Sequence, residues 1–370
     1  MITSNNECNT AISLFIPALN GGGAQKVVVN LANAFIELTD HPIHVVLARK
    51  EGEFLNDLRL EVQVIDLGTK RASRSIRALA KYMREYRPKA VVSSLNYANI
   101  VCVFASLLSG KPCKILLRED NVVRKPSGKM LVRVRRNLMI QLMKMFYPRS
   151  DNIVAISDSV LQTIEEAGIK VKEKAVVIGN PITVPLPEPG AVSIDWLPDP
   201  RPPFICSVGR LAEQKGFDTL LSAFAKLKNT KLHLVILGEG ELRNTLISQA
   251  EELKIKDRVH MPGFVRNPMS VVSEAEAFVL SSRWEGFGNV LVEALATGVP
   301  VVSTNCPGAP RDILENGSHG HLVPYDDPEA LAEGINQALE QPAGTPETRM
   351  SRAADFSAEK IASKYLEYIL

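Results

Sequence analysis

Short apolar runs separated by amphipathic stretches fill the chain. In the first half the runs are AISLFIPAL, HVVLAR, VQVIDLG, AVVSSL, KILLRE and NIVAIS, with helix-period patterns such as AQKVVVNLANAFIEL and SRSIRALAKYMREY between them. The second half repeats the rhythm with PFICSVGR, KLHLVILGEG, AFVLSS and VPVVST. A strand that is apolar on both faces belongs in a parallel sheet covered by helices, so the alternation predicts an α/β architecture of βαβ units. Between the halves, PITVPLPEPGAVSIDWLPDPRPP (181–203) holds eight prolines and predicts a semi-rigid linker. A length of 370 residues suits two domains. They are expected at 1–180 and 204–355, with a C-terminal helix in 356–370 packing back on the first. Two doubly wound domains joined by a hinge predict a cleft where the C-terminal strand ends face each other, and open α/β sheets bind ligands outside those ends.

Composition narrows the picture. The hydrophobic share of 45% suits a globular chain with a full core. The five cysteines are scattered and contain no CxxC pair, which argues against a disulfide framework and a zinc site. The opening MITSNNECNTAISLFIPALN lacks a basic n-region, and no apolar run approaches the ~20 residues that span a bilayer. The run IVCVFASLLSG (100–110) reads as a buried helix. A cytoplasmic protein is therefore expected. The net charge of +2 conceals +10 over residues 1–185 and −8 over the remainder, so the two halves are expected to face different partners.

Three strand–loop–helix junctions carry phosphate-binding chemistry. In PALNGGGAQKVVVNLANAF, Gly21, Gly22 and Gly23 let backbone approach a ligand before a helix start that offers free N–H groups. The spacing fits neither the dinucleotide nor the P-loop fingerprint. In SVGRLAEQKGFDTLLSAF, Arg210 and Lys215 stand at a strand-end rim, a fork and a point charge suited to clamping a diphosphate, though a pair of solvated surface charges reads equally well. In AFVLSSRWEGFGNVLVEALATG, the amides of Gly288, Asn289 and Val290 open a helix closed by Gly298. Glu285 precedes that helix, and Glu293 lies about one turn inside it, where a carboxylate suits vicinal hydroxyls such as those of a ribose.

With these residues in place, the chain resembles the retaining, nucleotide-sugar-dependent glycosyltransferases of the GT-B fold, the group 1 family that includes bacterial polysaccharide and lipopolysaccharide transferases. The likeness is carried by NGGGAQK (20–26), VAISDSV (154–160), VIGNPI (177–182), SVGRLAEQKGFDTL (207–220), LGEGELR (237–243), the E-x7-E run from Glu285 to Glu293, EALATGVPVVSTNCPGAPRDIL (293–314) and GHLVPYDD (320–327). It implies two Rossmann-like doubly wound domains facing each other across a cleft, with a UDP-linked sugar as donor. It implies that Arg210 and Lys215 bind the donor diphosphate, Glu293 the ribose and Glu285 the sugar hydroxyls. Gly263, Phe264 and Val265 would frame the base, and Gly21–Gly23 would close onto the phosphates from the other domain. Retention would proceed by same-face attack, the leaving phosphate taking the acceptor proton.

No metal or other cofactor is expected, because Arg210, Lys215 and helix amides can stabilise the leaving diphosphate. No Asp-x-Asp is placed to hold an ion; Asp326 and Asp327 are adjacent. The six histidines offer no pair at ligand spacing and read as structural. Many relatives carry a histidine in the N-terminal domain where this chain reads KILLREDNVVRKPSG. Arg118, Glu119 and Asn121 are the acceptor-side candidates there, with a structural salt bridge as the competing reading.

Residues 121–150 contain eight Lys and Arg and no acid, with Met130, Leu131, Val134, Leu138, Leu142 and Met145 at roughly helical spacing. A second run, 70–89, carries eight basic residues and one acid. Lys129, Arg133, Arg135 and Arg136 on such a helix fit an anionic membrane surface or a lipid-linked diphosphate, so a peripheral enzyme on the inner face of the cytoplasmic membrane is expected, with a lipid-linked saccharide as acceptor. A core-facing stripe with solvated charges is the alternative. Nucleic acid is not expected, since no aromatic interleaving accompanies the charge. Two other functions stay open: a nucleotide-sugar epimerase of the same fold, and a non-catalytic nucleotide-sugar-binding scaffold.

Overall fold

The computed structural model describes residues 10–20, 22–69, 72–123, 130–171, 173–183 and 194–370, and these divide into two compact units. The first takes the chain up to Thr183 and again from Phe356; the second runs through Asp355. Gly21, Lys129 and much of the Pro-rich stretch lie outside the described residues.

In the first unit the strands are β1 (Ile12–Ile16), β2 (Ile43–Leu47), β3 (Gln63–Asp66), β4 (Ala90–Ser94), β5 (Lys114–Glu119), β6 (Asn152–Ala155) and β7 (Ala175–Val177). Helices α1 (Gly23–Leu38), α2 (Ile76–Tyr86), α3 (Asn96–Ser109), α4 (Met130–Phe146) and α5 (Asp158–Glu166) alternate with them. The sheet is parallel in the order β3-β2-β1-β4-β5-β6-β7. Every residue of β1, β2 and β4 is buried, which is why these strands read as unbroken apolar runs. Helix α3 is a correction: Val101, Cys102, Val103 and Ala105 are buried, but Phe104, Leu107 and Leu108 on its other face are exposed.

The second unit holds β8 (Phe204–Val208), β9 (His233–Leu237), β10 (Val259–Gly263), β11 (Ala277–Leu280), β12 (Val301–Thr304) and β13 (His321–Val323). Its helices are α6 (Phe217–Lys226), α7 (Arg243–Glu252), α8 (Pro268–Val272), α9 (Asn289–Ala296), α10 (Pro310–Ile313), α11 (Pro328–Glu340) and α12 (Pro346–Ala354). The parallel order is β10-β9-β8-β11-β12-β13. Each sheet thus reverses its winding once, between β1 and β4 and between β8 and β11, and such a switch point leaves a crevice at the C-terminal strand ends.

The last helix, α13 (Ala358–Ile369), belongs to the first unit and lies against α1. Ile361, Ala362, Tyr365 and Ile369 are buried in that unit's core, each larger side chain contributing about 1.5–3 kcal/mol. Ile182 N–H donates to the carbonyl of Phe356 at 2.8 Å, so the chain leaving the first unit and the chain returning to it are tied together.

Candidate active site

The second unit's switch point is flanked by the loops after β8 and β11, and their side chains meet there. Lys215 Nζ donates to Glu285 Oε1 at 2.6 Å, and Ser282 Oγ donates to the same oxygen at 2.6 Å. Glu285 is buried, which sets the ion pair in a low-dielectric environment where it counts for more than a surface pair. The two loops approach so closely that only glycine fits at one point: Gly216 has φ +60, and a Cβ there would sit 2.2 Å from the carbonyl oxygen of Ser281. Ser281 Oγ also donates to the Lys215 carbonyl at 2.8 Å. On the other side, Glu285 N–H donates to the Pro307 carbonyl at 2.8 Å. Cys306, next in that wall, is buried, and burial with the nearby Glu285 charge pushes its thiol up to about 12, so it is no nucleophile.

Gly288, at φ +94, precedes α9, whose first residues are Asn289 and Val290. Glu293 is half-buried in the second turn of that helix. Arg210 is exposed just beyond β8. Gly263 ends β10, and Phe264 after it is 80% exposed, an apolar ring with no cover. Val265 is half-buried beside it. Arg210, Gly263, Phe264 and Val265 thus stand at or just beyond strand ends, Lys215, Glu285 and Gly288 in the segments that follow β8 and β11, and Asn289, Val290 and Glu293 in α9. The sequence reading missed Ser282, which orients Glu285 within its own loop, and Gln214 and Arg283, which hold the two loops together; none of them forms a motif of its own.

In the first unit Gly22 is extended and Gly23 opens α1. Arg118 and Glu119, at the end of β5, are both fully buried. Arg118 pairs with Asp120 and donates to Asn180 Oδ1 at 2.5 Å; Tyr147 O–H donates to Glu119 Oε2 at 2.7 Å. Burial pushes the Glu119 carboxyl up to about 7, against the pull of hydrogen bonds from Tyr147, the Asn121 backbone and Asn96. Asn121 is exposed, and with Asn96, Tyr97, Arg136 and Met139 it lines an open cavity of about 370 Å³. Neither Arg118 nor Glu119 lines that cavity; Glu119 instead bonds Asn96 and Asn121, which do.

A family model of glycosyl transferases group 1 matches residues 193–355, and one of glycosyltransferase family 4 matches residues 21–184. A lipopolysaccharide 1,6-galactosyltransferase of Escherichia coli is 30% identical, over 74% of this chain and 72% of its own. The chain belongs to the group 1 glycosyltransferases. An N-acetylgalactosaminyltransferase of Campylobacter jejuni named for a diphospho-undecaprenol-linked substrate is 27% identical over 97% of this chain and 99% of its own. Among solved structures, the lipopolysaccharide outer core galactosyltransferase WaaB in its apo form superposes with TM-score 0.75 at 20% identity, covering 97% of this chain and 99% of that one. Anabaena Alr3699/HepE in complex with UDP gives 0.78 at 20%, with 97% and 99% covered. Both confirm the GT-B fold.

In this glycosyltransferase Asp326 accepts from Arg283 Nε at 2.6 Å and Asp327 caps α11 through Ala330 N–H at 2.9 Å, so each carboxylate has its own task. His233 Nδ1 and His260 Nε2 lie 2.8 Å apart, with rings stacked, and burial lowers the pKa of both. Among the described residues no three His, Cys, Asp or Glu side chains are grouped to hold a metal ion, and no helix is long and apolar enough to cross a membrane. Helix α4 buries only Met143 and Phe146; Met130, Leu131, Val134, Leu138 and Met145 are exposed, as are Arg133 and Arg135. Arg136 and Leu142 are half-buried. The expected apolar stripe is thus a surface feature, not core.

Proposed function

We propose that this glycosyltransferase moves a hexose or N-acetylhexosamine, with retention of configuration and without a metal ion, from a UDP-linked donor to a lipid-linked oligosaccharide or lipopolysaccharide acceptor at the cytoplasmic membrane. The observation that carries the reading is the Lys215–Glu285 pair, set at the switch point beside the N-terminus of α9. A diphosphate seated there meets the Lys215 ammonium, the Arg210 guanidinium and the first amides of α9, a cationic and dipolar cradle. Glu293 accepts from the ribose hydroxyls, Phe264 and its neighbours Gly263 and Val265 frame the uracil, and Glu285 accepts from the donor sugar.

The chemistry follows from that charge arrangement. As the anomeric C–O bond breaks, its electron pair passes to the diphosphate oxygen. Lys215 and Arg210 stabilise the charge that grows there, worth about 3–4 kcal/mol for a well-placed donor. The acceptor hydroxyl attacks the same face and its proton passes to the leaving phosphate oxygen. The acceptor side is assigned to the cavity lined by Asn96, Asn121 and Arg136, where amides suit sugar hydroxyls and a guanidinium suits a phosphate. The exposed apolar and basic residues of α4 suit an anionic bilayer, which would present a lipid-linked acceptor beside that cavity. The relatives' names, a diphospho-undecaprenol-linked saccharide in one and lipopolysaccharide in another, support this acceptor class.

The test is UDP release from UDP-sugars in chelator, with and without a synthetic polyprenyl-diphosphate saccharide. Acceptor-dependent release with an α-linked product from an α-linked donor supports the reading. Sugar isomerisation without acceptor would indicate an epimerase, and tight binding without turnover a scaffold; either result would overturn it.

A further inference from the structure

The Lys215–Glu285 pair is built on two loops, and one side chain that touches neither member joins them. Arg283 uses all five of its N–H groups. NH1 donates to the Glu213 carbonyl at 2.8 Å and to Asp218 Oδ1 at 2.9 Å; NH2 donates to Asp218 Oδ2 at 2.7 Å and to Thr219 Oγ1 at 3.4 Å; Nε donates to Asp326 Oδ1 at 2.6 Å. Its backbone is fixed as well. Arg283 N–H donates to the Gln214 carbonyl at 2.8 Å, and Gln214 Nε2 returns a bond to the Trp284 carbonyl at 2.9 Å. The segment after β8 with the first turn of α6, the loop after β11 and the loop after β13 are thereby tied to one guanidinium, within two residues of Glu285 and with Gln214 adjacent to Lys215.

We propose that Arg283 is a positioning residue of the donor site, a strap that sets the loop carrying Lys215 and the loop carrying Glu285 in register. It rests on the proposed donor role of that pair. The magnitudes separate this from a stability role. The carboxylate side chains of Asp218 and Asp326 are 45% and 48% exposed, against 19% for Arg283, and ion pairs open to water on the carboxylate side contribute about 1 kcal/mol or less each to folding. Geometry is another matter: a planar fork holding two oxygens of one carboxylate fixes direction as well as distance, which a lysine cannot do. Asp326 sits at φ +57, in the left-handed region that aspartate and asparagine enter more readily than other non-glycine residues, and its carboxylate is what reaches Arg283. Asp218, for its part, is raised by partial burial yet held below its usual pKa overall by the Arg283 fork.

Two readouts test the strap, one needing no donor. The first is the rate at which acetic anhydride labels Lys215, followed by mass spectrometry, in the wild type, Arg283→Gln, Arg283→Lys and Asp326→Asn. Release of Lys215 from its pairing should speed labelling about fivefold or more in Arg283→Gln, less in Asp326→Asn, with Lys26 and Lys256 as unchanged internal standards. The second is donor kinetics well below the melting temperature: Arg283→Gln should raise the donor KM about tenfold and lower kcat, with Arg283→Lys recovering only part. Unchanged labelling and unchanged KM and kcat, with only a lower Tm, would overturn the inference and leave Arg283 a plain structural residue. If the wild type turns over no nucleotide sugar, the proposed function fails, while the labelling still decides the strap on its own.

Discussion

Lys215 Nζ and Glu285 Oε1 are 2.6 Å apart, with side chains 17% and 6% exposed. Lys215 and the Ser282 hydroxyl share one oxygen of this buried carboxylate, and removing the lysine strips it of its paired cation. Lys215→Ala should therefore cost about 1–3 kcal/mol in stability and lower kcat/KM by about 10²–10³, the loss of one preorganised donor at a developing charge. Steady-state kinetics beside a thermal melt measures both. Unimpaired turnover in a destabilised variant would reduce the pair to a structural salt bridge.

Gly216 separates conformational strain from crowding. A Cβ there meets the left-handed backbone cost and also the Ser281 carbonyl at 2.2 Å, whereas Gly110, at φ +84, has open space around its missing Cβ. Gly110→Ala should cost about 1 kcal/mol and Gly216→Ala clearly more, with a fall in activity. Equal losses by urea unfolding would mean that the two loops separate freely.

Glu119 carries a signature in pH. Its folded-state carboxyl is pushed up to about 7 by burial, well above the ~4.3 of an unfolded chain. The folded protein then binds the extra proton, so the stability this group contributes is complete below about pH 4.3 and is lost as pH rises through 7. Glu119→Gln keeps an acceptor for Tyr147 and should remove that loss. The variant should gain on the wild type by up to roughly 3 kcal/mol at pH 8, the difference closing towards pH 4–5. A difference independent of pH between 5 and 8 would show that Glu119 titrates as an ordinary carboxyl.

Helix α4 makes a separable claim. Arg133→Glu, Arg135→Glu and Arg136→Glu together should abolish flotation with vesicles containing anionic phospholipid, and Leu131→Asp with Leu138→Asp should weaken it at high salt as well as low. Unchanged partitioning of both variants would remove the membrane from the account.

The sequence was legible where burial is two-sided. β1, β2, β4 and β11 are buried along their whole length, and their apolar runs announced them. The strands it did not announce, β7, β10 and β13, are all sheet edges; β7 and β10 are mostly half-exposed, β10 contains a proline and β13 spans three residues. At the candidate site, glycines and charges at strand ends marked Lys215, Glu285 and Glu293. Arg283 gave no signal, because its partners Asp218 and Asp326 lie 65 and 43 residues away and only the sheet order brings them together. The stripe on α4 was ambiguous for a related reason: a period of 3.6 shows that a helix has an apolar face, not what covers it.

Whether the Lys215–Glu285 junction holds a nucleotide-sugar diphosphate without a metal is decided by calorimetric titration of UDP-, GDP- and ADP-sugars into the wild type and Lys215→Ala, in chelator. A UDP-sugar should bind the wild type, and Lys215→Ala should weaken that binding tenfold or more. Equal affinity in the two proteins, or binding only after a divalent ion is restored, would contradict that assignment.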